Sequence, residues 1–335
     1  MLPAAPENIL TADGRPKFGR YAGMVEHFDW HELAPPYARG RWWRRFHHKR
    51  WHYVALATPA LFCGVAIVDL GWTSTAFAYA FDRRERRLVA DFSQDGVPGL
   101  GPGVPGLGAS VAAHAGGASR FRFLSRRIAI EALGRRRYRL ALDCGEFAID
   151  AEFGPDLMPL LLALGPAEGG SVHATQKSTG LALWGEARCG AARYSLDGGV
   201  ASFDYSNGLL ARDTAWRWAS AHSLELGFNL QAGYFGAHEN ALWLDGRLYA
   251  LGAAQFDFKP GAPLAPWHIR TDDGLLDLHF HPEGARSQDK NLLIAASRYV
   301  QPIGTFSGWV RASADAPKRI VSQLVGVTED HSSRW

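Results

Sequence analysis

The residues most able to do chemistry lie between positions 203 and 248, where aromatic and polar side chains alternate. In an extended strand, side chains at i and i+2 share a face, so Trp216 and Trp218 point the same way. Asn229 and Gln231 form a second such pair, between Phe228 and Leu230. A buried polar group without a partner costs about 1–3 kcal/mol. This stretch therefore predicts a site or a specific internal polar network.

Two carboxylic acids in this stretch are candidate proton donors. Asp204 lies between Phe203 and Tyr205, and Glu239 precedes Asn240 in the segment GAHENALW. Burial among aromatic rings raises the pKa of an acid and keeps it protonated near neutral pH. A neutral acid in a dry aromatic pocket can protonate a carbon–carbon double bond, and ring faces stabilise the cation by about 0.5–2 kcal/mol each.

The same chemistry requires groups that hold the ligand and position water. The predicted ligand-binding residues are Lys177, Tyr205, Trp216, Trp218, Asn229, Asn240 and Trp267. In this hypothesis the rings line the path of the cation, and the amide or ammonium groups position water or a polar head. The alternative is that the acids pair with Arg212, Arg217 or Lys177 and only close a barrel.

Metal and cofactor motifs give no comparable prediction. His279 and His281 would share one face of a strand, as a zinc pair requires, but spacing identifies no third ligand. No Gly-x-Ser-x-Gly elbow and no dinucleotide-binding fingerprint occurs. We therefore predict neither a bound metal nor a cofactor.

The elements that would position these residues are almost all strands. Short runs rich in β-forming residues are separated by Asp, Gly and Pro, and Asp197-Gly198 and Asp245-Gly246 predict hairpins. Only residues 36–48 suggest a short helix. Many short strands without crossover helices predict an all-β fold of antiparallel barrels or sandwiches.

A linker at Gly165–Ser171 would divide the chain into two units. The predicted domains are residues 1–165, with an irregular arm over residues 1–50, and residues 171–335. The repeated Val-Pro-Gly-Leu-Gly at positions 97–101 and 104–108 predicts a loop over a barrel mouth.

Bulk properties limit the partners. A net charge of +3 over 335 residues argues against a nucleic-acid surface. No apolar run is long enough to span a membrane, and the first twenty residues lack a signal-peptide pattern. These features predict a cytoplasmic protein without a nucleic-acid partner or a membrane span.

The order of several segments resembles the bacterial family called domain of unknown function 2804. The matching segments are ILTADGRPKFG, RWWRRFHHKRWHYVAL, VAIVDLGW, the Gln176-Lys177 pair, TAWRWASA, GFNLQAGYF, HENALWLDGRLY, PWHIRTDDGLLDLHFHP, GTFSGWV and GVTEDHSSRW. That family is similar to lipocalin-like (calycin) proteins with tandem β-barrels, including carotenoid 1,2-hydratase and fungal enzymes that fold polyenes for cyclisation. The resemblance implies two lipocalin-like barrels and an apolar ligand cavity.

One segment departs from the family pattern. Where the family usually has Asp-Trp-Gly-Arg-Gly, this chain has Asp204-Tyr-Ser-Asn207-Gly, so the acid is kept and the Arg is replaced by Asn207. The leading hypothesis is a protein that binds a hydrophobic isoprenoid or lipid-like molecule and acts on it as a hydratase or isomerase. The alternatives are a non-catalytic carrier or stress-related binding protein, and a carbohydrate-binding β module.

Overall fold

The computed structural model describes residues 2–26, 28–97, 107–134, 136–155, 157–291 and 295–335, which contain one short helix and two antiparallel sheets. The helix is α1 (Arg41–His47). The first sheet contains β1 (Gly19–Ala22), β2 (His48–Ala57), β3 (Leu61–Asp69), β4 (Ser74–Asp82), β5 (Arg87–Asp95), β6 (Leu107–Ser110), β7 (Ser119–Phe123), β8 (Arg126–Gly134), β9 (Arg137–Asp143), β10 (Phe147–Phe153), β11 (Leu161–Pro166), β12 (Val172–Lys177), β13 (Leu181–Cys189), β14 (Ala192–Ser195) and β15 (Gly199–Leu209). The second contains β16 (Asp213–His222), β17 (Leu226–Gly233), β18 (Ala241–Leu244), β19 (Arg247–Ala250), β20 (Ala254–Asp257), β21 (Trp267–Thr271), β22 (Leu276–Asn291), β23 (Ala296–Val310) and β24 (Arg319–Arg334).

Both sheets curl, and together they form a barrel and a half-barrel. The main path of the first sheet is β5-β4-β3-β2-β15-β13-β10-β9-β8-β7-β6, with β1, β11, β12 and β14 attached beside it. The second sheet has the order β19-β18-β17-β16-β24-β23-β22-β21-β20. The all-β prediction with little helix is therefore confirmed. Among the described residues, no helix is long and apolar enough to cross a membrane.

Strand β2 is buried on both of its faces. Val54 and Leu56 point into the core of the first sheet, whereas Tyr53 points to the opposite face and packs against the second sheet. From the second sheet, Ile303 and Val327 meet this face. Because side chains alternate along a strand, a strand buried on both faces has a nearly continuous apolar sequence. The two sheets therefore pack against each other through the face of β2 that carries Tyr53.

The predicted division at residues 165–171 lies inside the first sheet. Strands β11 and β12 flank it and pair with each other, with Gly165 opposite His173. The glycine-rich segment forms the turn of this hairpin. The chain passes to the second sheet only between Leu209 and Asp213. The predicted helix at 36–48 is shorter, at Arg41–His47, and residues 98–106 of the glycine-rich repeat lie outside the described residues.

Trp243 connects the two halves and provides a test of their packing. Its side chain is fully buried, clusters with Leu161 and Phe235, and donates a hydrogen bond from Nε1 to the Pro159 oxygen at 2.7 Å. Replacing Trp243 by alanine should lower the free energy of unfolding by about 3–5 kcal/mol, because a large cavity opens between the sheets. Urea unfolding followed by circular dichroism measures the change. Trp42→Ala, at a side chain that is 75% exposed, is the matched control, and equal losses would contradict the assignment.

Candidate functional site

A cavity of about 250 Å³ lies between the two sheets. The first sheet contributes Trp51 and Tyr53 from β2, and the second contributes Trp216, Trp218 and Tyr299 from β16 and β23. The walls are mostly aromatic, so the cavity fits an apolar molecule better than a highly charged one. Because both sheets contribute lining residues, neither sheet alone forms the cavity.

Lys177 and Asp204 form an ion pair in the cavity wall. They lie directly opposite each other on the neighbouring antiparallel strands β12 and β15. The Lys177 ammonium donates to Asp204 Oδ2, and the side chain of Lys177 is only 4% exposed. Asp204 Oδ1 also accepts hydrogen bonds from the Thr175 and Ser206 hydroxyls, at 3.2 and 3.3 Å. Both carboxylate oxygens of Asp204 are therefore engaged by donors from β12 and β15.

Glu239 is the second acid at this ammonium. Its Oε2 lies 3.5 Å from Lys177 Nζ, and its side chain is 6% exposed. Burial raises the pKa of Glu239, the negative charge of Asp204 acts in the same direction, and Lys177 opposes both. One ammonium thus serves two carboxyl groups, and Asp204 makes the closer contact. Glu239 is therefore the acid that the site favours in its protonated form.

The loop carrying Glu239 is held by amide side chains. Asn229 Nδ2 donates to the Glu239 backbone oxygen at 3.0 Å, and Asn229 Oδ1 accepts from Trp218 Nε1 at 2.7 Å. Asn240 Oδ1 accepts from the Gln231 backbone at 2.6 Å, and its Nδ2 donates to the Gly252 oxygen at 2.9 Å. Neither amide lines the cavity, so their contacts position Glu239 rather than a ligand.

The other predicted site residues divide into two groups. Lys177, Asp204, Glu239, Trp216 and Trp218 all line the cavity. Tyr205 points to the opposite face of β15, where its hydroxyl donates to the Ala112 and Ala113 oxygens. Trp267 lies in the core of the second sheet, stacked on Phe258 at a centroid distance of 3.9 Å. The structure does not bring Tyr205 or Trp267 to the cavity. Tyr205 is next to Asp204 in β15, and neighbouring side chains of a strand point to opposite faces. Trp267 is packed inside the core of the second sheet.

Several cavity residues were not among the predicted site residues. Gln231 lines the cavity with its side-chain amide buried, and neither its oxygen nor its nitrogen has a protein partner among the described residues. At the opposite wall, β24 contributes Glu329 and His331. The ending GVTEDHSSRW places Glu329, His331 and Ser333 at a spacing of two, the same signal that marked Trp216 and Trp218. Their common face could have been predicted from that spacing.

A potential metal-ligating group lies elsewhere. His268, Asp277 and His279 bring ligand atoms within 4.8 Å of one another. His268 Nε2 and Asp277 Oδ1 are 2.7 Å apart, and the rings of His268 and His279 stack with centroids 4.4 Å apart. His281, the predicted companion of His279, is not part of this group. The group is not part of the cavity wall.

Asn207, at the position of the family's usual arginine, also faces away from the cavity. Its Oδ1 accepts from Trp30 Nε1 at 2.9 Å and from His48 Nε2 at 2.7 Å. Its Nδ2 donates to the Tyr205 hydroxyl at 3.2 Å. Asn207 therefore belongs to the interior of the first sheet rather than to the surroundings of Asp204.

Two curled antiparallel sheets around an aromatic cavity define the chain as a β-barrel protein with a cavity of ligand size. The chain belongs to the family described as domain of unknown function 2804, which matches residues 3–335. The family predicted from the sequence is thereby confirmed. A comparison with curated protein sequences finds no match.

Solved structures share the fold over nearly the whole chain. CghA in complex with Sch210972 has a TM-score of 0.58 at 12% identity, covering 99% of this chain and 97% of that one. A protein from Nitrosomonas europaea assigned as AttH has a TM-score of 0.54 at 14% identity, covering 89% and 96%. Kievitone hydratase from Nectria haematococca has a TM-score of 0.52 at 10% identity, covering 95% and 98%. At these identities the similarity establishes a common fold.

Proposed function

We propose that the chain binds an apolar small molecule, isoprenoid or lipid-like, between its two sheets and acts on it as a hydratase or isomerase. The observation that carries the proposal is the geometry of Glu239, a buried acid at the wall of an aromatic cavity. Glu239 transfers its proton to a carbon–carbon double bond. The faces of Trp216 and Trp218 stabilise the cation that forms.

The ion pair of Lys177 with Asp204 supports this role for Glu239. Asp204 neutralises the ammonium, so the neighbouring Glu239 can remain protonated without leaving an isolated buried charge. After proton transfer, the new Glu239 carboxylate lies 3.5 Å from the Lys177 ammonium, which stabilises the developing negative charge. The Gln231 amide, which has no hydrogen-bond partner in the described part of the chain, supplies a polar contact for the ligand or for water.

The structural relatives agree with this proposal. One is named a hydratase and another was crystallised with Sch210972 bound, so this fold accommodates both water addition and small-molecule binding in those proteins. A non-catalytic carrier remains the second candidate, favoured by the same aromatic cavity. A carbohydrate-binding surface requires exposed, coplanar tryptophans, whereas Trp216 and Trp218 are enclosed between the sheets.

Proton donation can be tested with the natural ligand and deuterium oxide. Native mass spectrometry of protein purified from its host identifies the compound that accompanies it, and that compound is then incubated with the protein in D₂O. Hydration or isomerisation through Glu239 should leave one carbon-bound deuterium in the product. Glu239→Gln should slow this incorporation by about 10²–10⁴-fold, while ligand binding is retained.

The matched control is Glu186→Gln, at an acid on the exposed surface with half of its side chain accessible. This variant should incorporate deuterium at the wild-type rate. Binding without deuterium incorporation would favour the carrier, and equal rates in Glu239→Gln and wild type would remove the acid assignment. Absence of any bound apolar compound would overturn both candidates.

A further inference from the structure

A second chemical group lies at the wall of the cavity formed by β23 and β24. Glu329, His331 and Ser333 occupy positions i, i+2 and i+4 of β24, and Ser297 lies directly opposite Ser333 on β23. Alternation along the strands therefore places all four side chains on one face. Glu329, His331 and Ser297 line the cavity. Their contacts form a continuous hydrogen-bonded sequence from carboxylate to imidazole to hydroxyl.

The partners of Glu329 determine which nitrogen of His331 carries the proton. Glu329 Oε1 accepts from Trp216 Nε1 at 2.8 Å, and Oε2 accepts from Gln301 Nε2 at 2.8 Å. Gln301 is oriented by the Tyr79 hydroxyl, which donates to its Oε1. Because both Glu329 oxygens accept from N–H donors, His331 Nδ1, at 3.1 Å from Glu329 Oε1, is a further donor to this carboxyl group.

The opposite nitrogen of the imidazole is then free to accept a proton. His331 Nε2 lies 2.7 Å from Ser333 Oγ and 3.0 Å from Ser297 Oγ. A hydroxyl bonded to a neutral imidazole, itself oriented by a carboxylate, is the arrangement that activates a serine nucleophile. The ring of Trp216, with its centroid 4.1 Å from that of His331, restricts rotation of the imidazole.

We propose that Ser297 is a nucleophile for esters of apolar acids or alcohols, with His331 as its general base and Glu329 as the positioning residue. Ser297 is chosen over Ser333 because only its side chain lines the cavity. The Ser297 oxygen attacks the ester carbonyl carbon while its proton passes to His331 Nε2. His331 then gives that proton to the departing alcohol, and a water molecule hydrolyses the acyl-serine in the reverse sense. The aromatic walls select the apolar part of the ester.

This activity is separate from the proposed proton donation by Glu239, which acts from a different loop and through a different acid. Its test needs no natural ligand. The probe is decyl fluorophosphonate, whose alkyl chain suits the cavity and whose phosphorus reacts with activated serines. Attack by Ser297 Oγ forms the oxygen–phosphorus bond, fluoride leaves, and the hydroxyl proton passes to His331. Intact-protein mass spectrometry measures the rate, and peptide mapping identifies the labelled residue.

We expect one adduct per chain, located on Ser297. Ser297→Ala should remove it, and His331→Gln should slow labelling at least about 100-fold. Ser333→Ala should label at least as fast as wild type, because it removes the hydroxyl that competes for His331 Nε2. Ser195→Ala, at an exposed serine, is the control and should label at the wild-type rate.

Glu329 is tested separately, because loss of a positioning residue must be distinguished from a general loss of structure. Glu329→Gln should slow labelling, since a glutamine can donate to His331 Nδ1 and move the imidazole proton to Nε2. Glu329→Asp keeps the negative charge and should restore part of the rate, with urea midpoints confirming that both variants fold. An adduct on Ser333 or elsewhere, no adduct in wild type, or undiminished labelling in His331→Gln would each overturn the proposal.

Discussion

Replacing Lys177 by methionine is expected to lower the free energy of unfolding by about 3–5 kcal/mol at pH 8. The side chain is 4% exposed, and its ammonium is shared by Asp204 and Glu239. Methionine keeps most of the side-chain volume, so the loss is electrostatic rather than a packing defect. Without the ammonium, the buried Glu239 and the partly buried Asp204 lose the cation that they share. Urea unfolding at a series of pH values measures the effect.

The pH dependence identifies the cause of that loss. Buried carboxyl groups without a cation have raised pKa values, so they destabilise the fold as pH rises and become neutral as pH falls. The difference between Lys177→Met and wild type should therefore shrink from pH 8 towards pH 5. The double variant Lys177→Met/Asp204→Asn should recover much of the stability at pH 8. A difference that is constant with pH, or no recovery in the double variant, would contradict the shared-ammonium assignment.

The sequence predicted the fold class because strand alternation is a local property. The Asp-Gly turn at Asp245 indeed connects the paired strands β18 and β19. The hairpin predicted at Asp197 was wrong, because the turn there leads from β14 to β15 and both strands pair with β13 rather than with each other. The point at which the chain changes sheets was not predictable in the same way. Gly165–Ser171 has the composition of a linker, but the partners that make it a hairpin, β11 and β12, are identified only by their pairing.

The site was predicted in part for the same reason. The spacing that places Trp216 and Trp218 on one face gives no information about which face meets the cavity. Tyr205 and Asp204 illustrate the limit, since neighbouring residues of β15 point to opposite sides, one to the core and one to the cavity. Trp267 has a suitable residue type, but its ring packs against Phe256 in β20 and Phe258 just after that strand.

Long-range pairing accounts for the site residues that the sequence did not reveal. Glu329 and His331 lie more than one hundred residues from Trp216, yet β16 pairs with β24 and puts His331 opposite Trp216. Lys177 shows the converse case. The sequence suggested it both as a ligand-binding residue and as a partner of the acids. The structure shows its contacts with Asp204 and Glu239, and ligand binding by Lys177 stays a prediction.

The free energy of unfolding should fall steeply as the pH decreases below 6.5, because two fully buried histidines are neutral in the folded protein. Burial lowers the pKa of His52 to about 3, and burial together with Lys177 lowers the pKa of His173 to about 3. His52 Nε2 and His173 Nδ1 have no hydrogen-bond partner among the described residues, and neither ring contacts a carboxylate there. Both histidines therefore favour the neutral form in the fold, whereas the unfolded chain takes up protons near pH 6.5.

The sign of the pH effect follows from the lowered pKa values. The unfolded state binds more protons between pH 6.5 and about 3, so the stability is fully present above pH 6.5 and falls as pH decreases. Near pH 5 the unfolded state binds about two more protons at these histidines than the folded state does. The free energy of unfolding therefore changes by about 2.7 kcal/mol per pH unit on their account. Glu239, whose pKa is raised by burial, opposes this trend, because the folded state holds its proton more tightly than the unfolded state.

The contribution of one histidine can be separated by measuring urea unfolding between pH 7 and pH 4.5. His52→Gln should reduce the slope of unfolding free energy against pH by about 1.4 kcal/mol per pH unit, whatever its effect on stability at pH 7. Ile67→Val, in the same core, is the control that lowers stability without removing a titrating group, so its slope should equal that of wild type. An unchanged slope in His52→Gln would show that His52 is not held neutral by burial, and the stability of this fold in acid would then depend on its carboxyl groups instead.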